Sequence, residues 1–264
     1  MSFSTNLRHK FAAFQETWGF DNRWELYFQE IQGKKGIRVY RMGSVEAIAD
    51  HATGDHLGGI RGALASMEYR SLLRLVDIET VRNVLDLGAH IGSFPMLLKI
   101  LNAPLQKVVC VEPNPDSQEK LRFNLAHNRL PAVVVAGAVS NDLKDALLFR
   151  NTTSTGFSLL PPQEFSQEAA SKVCCYTLDN LISDHFSHTK IDLCKVDIEG
   201  AEFMIFDEMK QESLQNIHHL ICEVHPKDEN TVESLTATLK MLGFEKSPVA
   251  YGDTRHFVNS RFDV

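Results

Sequence analysis

The feature that most constrains the fold is an alternation of short apolar runs with amphipathic segments after residue 64. The runs predict strands at residues 83–87, 107–112, 133–139, 173–176, 191–197 and 217–224, and the intervening segments predict helices at about 92–101, 116–128, 199–209 and 229–242. Strands that are apolar on both faces and separated by helices are typical of a parallel sheet covered by helices on both sides. A last run at 255–260 predicts an antiparallel edge strand. The sequence therefore predicts an α/β fold with a doubly wound, mostly parallel, seven-stranded sheet.

The first 60 or so residues follow a different pattern. Residues 23–31 and 37–42 are strand-like runs around a glycine-containing turn, which predicts a β-hairpin. The glycine-rich segment 51–62 predicts a loop with the hinge freedom of a lid. From Leu64 to Glu79 an apolar stripe predicts the first helix.

The length agrees with one sheet domain and an addition to it. The chain has 264 residues, between the usual length of one domain and of two. We expect an N-terminal extension over residues 1–62 and the sheet domain over residues 63–264. Apolar residues make up 44% of the chain, which excludes disorder over most of its length.

Charge and apolar patterning exclude some partners. The net charge is -7, with 34 acidic against 27 basic residues, which argues against a nucleic-acid partner. No apolar stretch reaches the roughly 18 residues of a membrane helix, and no apolar run of a signal peptide follows the basic start. The five cysteines lack CxxC spacing and predict buried, reduced thiols. We expect a cytoplasmic protein without a membrane partner.

The loop after the first predicted sheet strand points to a ligand. Asp86, Gly88 and Gly92 form a D-x-G-x-x-x-G pattern, which lacks the G-x-G-x-x-G spacing that closes around a pyrophosphate. An acid at Asp86 suits an amino-acid ammonium group, and Glu112 at the end of the next strand can accept both hydroxyls of a ribose. These features predict a pocket for a nucleoside that carries an amino acid, which describes S-adenosylmethionine.

Six segments in order resemble one known family. VLDLGAHIGSF, VCVEPNP, LRFNLAHN, VSN, IDLCKVDIEGAE and ICEVHP are similar to the FkbM family of S-adenosylmethionine-dependent methyltransferases, over about residues 80–226. The resemblance implies a class I, Rossmann-like methyltransferase sheet. It implies cofactor contacts from Asp86, Gly88, His90, Gly92, Glu112, Pro113, Asn114, Ala138, Ser140 and Asn141. The family usually has asparagine at the position of His90.

Three residues at the ends of two predicted strands are the candidate catalytic group. Asp197 is predicted to lie near the methionine end of the cofactor or the acceptor hydroxyl. His225 is predicted to be the general base, since a neutral imidazole is available near pH 7. Glu223 would orient His225 or accept a proton itself. In a second interpretation, which we do not favour, these three residues and Glu199 hold a divalent cation that lowers the pKa of the acceptor hydroxyl.

Acceptor contacts are predicted from polar residues in two loops: His51, His56 and Arg61, and Thr155 and Ser158. The resemblance implies an O-methyltransferase acting on a hydroxyl of a small or glycosylated metabolite, such as a sugar, glycolipid or natural product. Alternatives are a nitrogen acceptor, a metal-assisted mechanism, a cofactor-binding protein without turnover, and a nicotinamide oxidoreductase, which the missing glycine triplet disfavours. The predicted hairpin has edges that would allow pairing with a second copy.

Overall fold

The computed structural model describes residues 17–65, 67–150, 157–159, 170–187, 189–206 and 212–262. Seven α-helices are described: α1 (Arg23–Ile31), α2 (Glu68–Leu73), α3 (Ser93–Ile100), α4 (Pro115–His127), α5 (Leu178–Phe186), α6 (Glu202–Ile205) and α7 (Val232–Met241). A π-helix spans His56–Ala65, and short 3-10 helices lie at Ile78–Thr80, Glu212–Asn216 and Ser260–Phe262.

Fourteen strands are described in the same part of the chain. They are β1 (Ile37–Met42), β2 (Val45–Asp50), β3 (Asn83–Leu87), β4 (Lys107–Glu112), β5 (Ala132–Ala136), β6 (Ala138–Val139), β7 (Ala146–Arg150), β8 (Phe157–Ser158), β9 (Ala170–Val173), β10 (Cys175–Tyr176), β11 (Ile191–Val196), β12 (Ile217–Glu223), β13 (Phe244–Tyr251) and β14 (Thr254–Asn259).

Seven of these strands form the central sheet, in the order β13-β14-β12-β11-β3-β4-β5. The five strands from β5 to β12 are parallel, and β14 and β13 are antiparallel to their neighbours. This confirms the predicted fold class. The chain runs outward from β3 in one direction and from β11 in the other, so the switch point lies between them. A crevice for ligands opens at the carboxyl ends of strands at such a point.

The edge strand differs from the prediction. The run predicted at 255–260 is β14, which lies between β12 and β13 rather than at the edge. Strand β13 is the edge, and the sequence patterns did not indicate it. Only Phe244 of its eight residues is buried, so β13 lacks the apolar run of a central strand.

The predicted N-terminal hairpin was wrong in its pairing. Residues 23–31 form α1, and the hairpin consists of β1 and β2, joined at Gly43 in a left-handed conformation. Three alternating apolar residues suggested a strand, but only Leu26 is buried, while Trp24 and Phe28 are 55% and 53% exposed. Three positions are too few to distinguish a period of 2 from a helical period.

Two other predicted segments near the N-terminus also differ. The glycine-rich segment 51–62 is not a loop throughout, because the π-helix begins at His56. The helix predicted from Leu64 to Glu79 is reduced to α2, six residues long. The proposed boundary between residues 62 and 63 falls within the π-helix.

The segment after β5 leaves the central sheet. A Cβ at Gly137 would lie 2.6 Å from the carbonyl oxygen of Cys174, so only glycine allows this close approach. Strands β6 and β10 pair separately, and β7, β8 and β9 form a three-stranded sheet. The strand predicted at 173–176 is therefore not part of the central sheet. Cys174 in this segment is exposed, contrary to the prediction of buried thiols, whereas the other four cysteines are buried.

The hairpin is fixed against the sheet domain by α4. The Asn124 amide accepts the backbone N–H of Ile48 (2.8 Å) and donates to the carbonyl oxygens of Ile48 (3.1 Å) and Ile91 (2.9 Å). Tyr40 of β1 belongs to the same apolar cluster as Phe94 of α3. The N-terminal extension thus packs directly beside the loop after β3. In the described ranges, no helix is long and apolar enough to cross a bilayer.

Candidate functional site

A cavity of about 270 Å³ lies at the carboxyl ends of the parallel strands. Its walls come from the π-helix, α2, the loop after β3, the end of β4 and the segment after β11. Seven predicted site residues line it: Gly88, His90, Glu112, Pro113, Ala138, Asp197 and Glu223. The structure therefore brings five of the ten predicted cofactor residues and two of the predicted catalytic residues into one cavity.

The loop after β3 needs glycine because it approaches the chain after β11. Gly88 has φ +77°, and a Cβ there would lie 1.8 Å from the carbonyl oxygen of Asp197. The Lys195 ammonium donates to the Gly88 carbonyl oxygen at 2.8 Å. The glycine was predicted to allow close approach of a ligand, and the structure adds a close approach to Asp197. Gly88 therefore fixes where Asp197 lies.

Asp86 lies behind the cavity rather than in its wall. Its side chain has no exposed surface and is not among the lining residues. Lys195 stands opposite Asp86 in the parallel register, with Nζ 3.5 Å from Oδ1. Burial raises the pKa of Asp86, and the Lys195 charge opposes this. We therefore assign Asp86 to pairing with Lys195, in place of the predicted contact with an ammonium group.

Glu112 is held in place by two backbone donors. Its Oε2 accepts the N–H of His90 at 2.8 Å, and its Oε1 accepts the N–H of Asn114 at 2.9 Å. Burial raises the pKa of Glu112, while the nearby His90 charge and both backbone donors lower it. Each oxygen retains capacity to accept another hydrogen bond. A carboxylate at this strand end, with both oxygens oriented, suits a pair of neighbouring hydroxyls.

His90 links the loop after β3 to the N-terminal extension. Its backbone is left-handed (φ +49°), and its Nε2 lies 3.4 Å from Oδ1 of Asp55. Asp55 also pairs with Lys120 of α4 at 2.7 Å. A Cβ at Gly59 would lie 2.7 Å from Nδ1 of His90, so the π-helix packs directly on the imidazole. The π-helix thus forms part of the cavity wall, and Asp55, directly before it, is held by two ion pairs.

Asp197 and Glu223 form the opposite end of the cavity. Asp197 follows β11, and Glu223 is the last residue of its parallel neighbour β12. The Tyr69 hydroxyl lies 3.4 Å from Oδ2 of Asp197 and 3.5 Å from Oε2 of Glu223, and the Lys195 ammonium lies 3.2 Å from Oδ2 of Asp197. The other oxygens, Oδ1 and Oε1, lie 4.0 and 3.9 Å from Nε2 of His225. Each carboxylate therefore faces Tyr69 on one side and His225 on the other.

The electrostatics of this end differ from the prediction for His225. Burial opposes the charged imidazole, but the hydrogen bond to Glu202 (2.8 Å) and the charge of Asp197 raise the pKa of His225 to about 9. These contacts favour the charged imidazole, whereas the prediction of a histidine base rested on a neutral one. Burial, followed by the charge of Asp197, raises the pKa of Glu223 to about 7.

The turn after β11 is strained. Glu199 has φ +53° and is followed by Gly200 at φ +98°. A non-glycine residue in this region costs energy and tends to occur where a side chain must point in a particular direction. Here it brings Oε2 of Glu199 to 3.8 Å from Nε2 of His225. Glu199 also lines the cavity.

Several predicted contacts lie outside the cavity wall. Gly92 packs on Leu121, and Asn114 caps α4 by accepting the N–H of Asp116. Ser140 and Asn141 are not among the residues that line the cavity.

Two of the three acceptor residues predicted in the N-terminal extension, His51 and Arg61, do not line the cavity. Both are buried beside Glu30, at 3.6 and 3.3 Å. Thr155 lies outside the described residues, as do the side chains of His56 and Ser158.

The structure also brings residues outside the predicted catalytic and cofactor sets into the cavity wall. Glu68 and Tyr69 of α2 line the cavity, and Oε1 of Glu68 accepts the Thr254 hydroxyl at 2.8 Å. Lys195, which pairs with Asp86 and Asp197, lines the cavity as well.

The fold defines a Rossmann-like α/β protein, with a cavity at the carboxyl ends of its strands. The chain belongs to the methyltransferase FkbM domain family, whose sequence profile matches residues 86–246. This confirms the resemblance of the sequence motifs. No curated protein sequence matches the chain.

Solved structures are similar to this chain. The methyltransferase FkbM of Methylobacillus flagellatus KT is similar over 94% of this chain, with a TM-score of 0.50 and 14% identity, and this chain spans 58% of that protein. TrmK of M. capricolum, in complex with S-adenosyl-homocysteine, has a TM-score of 0.42 and 10% identity over 72% of this chain and 66% of its own. Precorrin-6y C5,15-methyltransferase of Geobacter metallireducens GS-15 has a TM-score of 0.42 and 11% identity, covering 72% and 84%.

Proposed function

We propose that this protein is an S-adenosylmethionine-dependent O-methyltransferase that acts on a hydroxyl of a small or glycosylated metabolite. The observation that carries the proposal is one cavity with an oriented carboxylate, Glu112, at one end and the pair Asp197 and Glu223 at the other. Membership of the FkbM methyltransferase family supports the reaction class.

The residues at the Glu112 end fit the cofactor. Both oxygens of Glu112 are held by backbone N–H groups, so the carboxylate is oriented before a ribose arrives. Ala138 and Pro113 supply apolar wall for an adenine ring. The loop at Gly88 allows backbone to approach the ligand closely. The spacing that would bind a pyrophosphate is missing, which favours a nucleoside without phosphates.

When bound, S-adenosylmethionine supplies a methyl group that a sulfonium has already activated. The protein must orient the acceptor hydroxyl, exclude water and take up the hydroxyl proton. Asp197 and Glu223 provide carboxylate oxygens for that proton at the end of the cavity away from Glu112. The π-helix lines the cavity and packs on His90, which would limit the access of water on that side.

The acceptor end favours a polar, hydroxyl-bearing molecule. Its wall presents the carboxylates of Glu68, Asp197, Glu199 and Glu223, with one ammonium group from Lys195. Carboxylates accept hydrogen bonds from hydroxyls, whereas they repel an anionic acceptor such as a nucleic acid.

Calorimetry on the purified chain tests the cofactor half of the proposal. We expect saturable binding of S-adenosylhomocysteine and no binding of NAD. Tight NAD binding, or no binding of S-adenosylhomocysteine by a folded protein, would contradict the proposal.

The acceptor half needs a screen with isotope-labelled S-adenosylmethionine against fractionated metabolite extracts. We expect the label on a hydroxyl oxygen of a small or sugar-bearing product. Label on nitrogen would replace the O-methyltransferase assignment with an N-methyltransferase.

A further inference from the structure

We propose that Asp197, Glu223 and His225 bind one divalent cation at the acceptor end of the cavity. One oxygen of each carboxylate and one imidazole nitrogen lie within 4.8 Å of one another. The proposed function gives this ion its role, but ion binding itself does not depend on that function.

Glu202 orients the imidazole of His225. Nδ1 of His225 lies 2.8 Å from Oε1 of Glu202, and a carboxylate can only accept, so Nδ1 carries a proton. Nε2 is therefore the nitrogen that faces Asp197 and Glu223, and an ion bound there would take the place of the proton that Nε2 carries in the charged imidazole. A histidine held by a buried carboxylate on its far nitrogen is the usual arrangement of a metal ligand.

The spacing of the three ligand atoms fits one ion. Oδ1 of Asp197 and Oε1 of Glu223 lie 4.0 and 3.9 Å from Nε2, which is too far for hydrogen bonds. Two ligands of one ion are separated by at most twice the bond length, about 4.0–5.2 Å for bonds of 2.0–2.6 Å, and by less when they do not lie on opposite sides of it. Both observed separations lie within this limit.

Tyr69 and Lys195 orient the two carboxylates. Tyr69 and Lys195 contact Oδ2 of Asp197, and Tyr69 contacts Oε2 of Glu223. Because these contacts hold Oδ2 and Oε2, the other two oxygens, Oδ1 of Asp197 and Oε1 of Glu223, are directed towards His225.

An independent observation lies behind the cluster. Glu202 has no exposed surface, and in the part of the chain that the structure describes its Oε2 has no hydrogen-bond partner. Its Oε1 accepts from Ile198, Gly200 and His225. A buried carboxylate with an unsatisfied oxygen is costly unless positive charge lies close by. An ion on the opposite nitrogen of His225 would place that charge along the line of the imidazole.

The chemical class of the ion follows from its ligands. Two carboxylates and one imidazole suit an ion that accepts both oxygen and nitrogen, such as Mn²⁺. Three protein ligands leave coordination positions for an acceptor hydroxyl, whose pKa the ion would lower.

Electron paramagnetic resonance with Mn²⁺ as the probe tests the site on the full, metal-stripped chain. We expect one saturable Mn²⁺ site per chain. His225→Gln and Glu223→Gln should each weaken binding at least about 10-fold, since each removes a ligand. Glu202→Gln should weaken it about 10- to 100-fold, although Glu202 does not contact the ion. Glu229→Gln, at an exposed carboxylate in the loop after β12, is the matched control and should bind as the unmodified chain does.

The result that would overturn the inference is an absence of saturable Mn²⁺ binding. Equal affinity of the folded His225→Gln and Glu223→Gln variants and the control would overturn it as well. Thermal unfolding verifies that each variant is folded. S-adenosylhomocysteine binding, measured without metal on the same samples, separates the two proposals. If the cofactor product binds and Mn²⁺ does not, only the ion site fails; if Mn²⁺ binds and the cofactor product does not, only the proposed function fails.

Discussion

The replacement of Glu112 by glutamine tests the cofactor site with a minimal change of shape. Glutamine keeps one acceptor oxygen and puts an NH₂ group where the other oxygen stood. The N–H of either His90 or Asn114 then faces a donor instead of an acceptor at about 2.8–2.9 Å. This backbone hydrogen bond is lost in the free and the bound protein alike, so its loss affects the free energy of unfolding and not the affinity for S-adenosylhomocysteine.

The effect of the substitution on folding and its effect on binding have separate magnitudes. Losing one backbone hydrogen bond to a charged group costs about 1.5–3 kcal/mol of folding free energy. Glutamine also removes a charge that burial disfavours, as the raised pKa of Glu112 shows, which offsets much of that cost. Binding loses one hydrogen bond between a ribose hydroxyl and a carboxylate, again about 1.5–3 kcal/mol. At 1.4 kcal/mol per tenfold change, the Kd for S-adenosylhomocysteine should rise about 10- to 100-fold.

Calorimetry of both variants and thermal unfolding measure these quantities. Glu119→Gln is the matched control, because Glu119 is an exposed carboxylate on α4. Its Kd should equal that of the unmodified chain. A folded Glu112→Gln protein whose Kd lies within about twofold of the control would refute the placement of the ribose at Glu112.

Three further predictions concern the scaffold of the site. Gly88→Ala should abolish S-adenosylhomocysteine binding in calorimetry, because its Cβ would lie 1.8 Å from the carbonyl oxygen of Asp197. Gly252 is also left-handed but has open space around it, so Gly252→Ala should lower the free energy of unfolding in urea by only about 1–2 kcal/mol. Asn124→Ala should destabilise the protein by about 2–4 kcal/mol in the same assay, since three buried hydrogen bonds are lost; an unchanged unfolding midpoint would contradict the docking of the hairpin. Burial lowers the pKa of His256 to about 4, so the folded state resists a proton that the unfolded state accepts below about pH 6.5. Stability should therefore fall between pH 6.5 and 4, and a His256→Gln variant with the same slope would contradict this cause.

The sheet and the location of the site could be predicted because they depend on local sequence. Strands β3, β4, β11 and β12 lie within one residue of their predicted bounds, since buried parallel strands are nearly continuous apolar runs. The carboxyl ends of such strands meet at one edge. Asp197 and Glu223 were therefore expected in one place, and the structure has them facing the same imidazole.

What could not be predicted depends on pairing between distant segments. The position of Asp86 at a strand end suggested a ligand contact, but Lys195 lies opposite it in the register of a strand more than 100 residues later. The pKa of His225 depends on Glu202 in the turn and helix after β11, which no spacing reveals. The π-helix has no sequence pattern distinct from a glycine-rich loop.

The origin of the acceptor wall has a consequence for how such a protein can diverge. Glu68 and Tyr69 precede the residues 86–246 that match the family profile, whereas Glu112 lies within them. Substitutions at these two positions can reshape that end of the cavity without touching the backbone donors that hold Glu112. Under the proposed function, selection could therefore alter the acceptor side through residues outside the profile while the ribose site stays as it is.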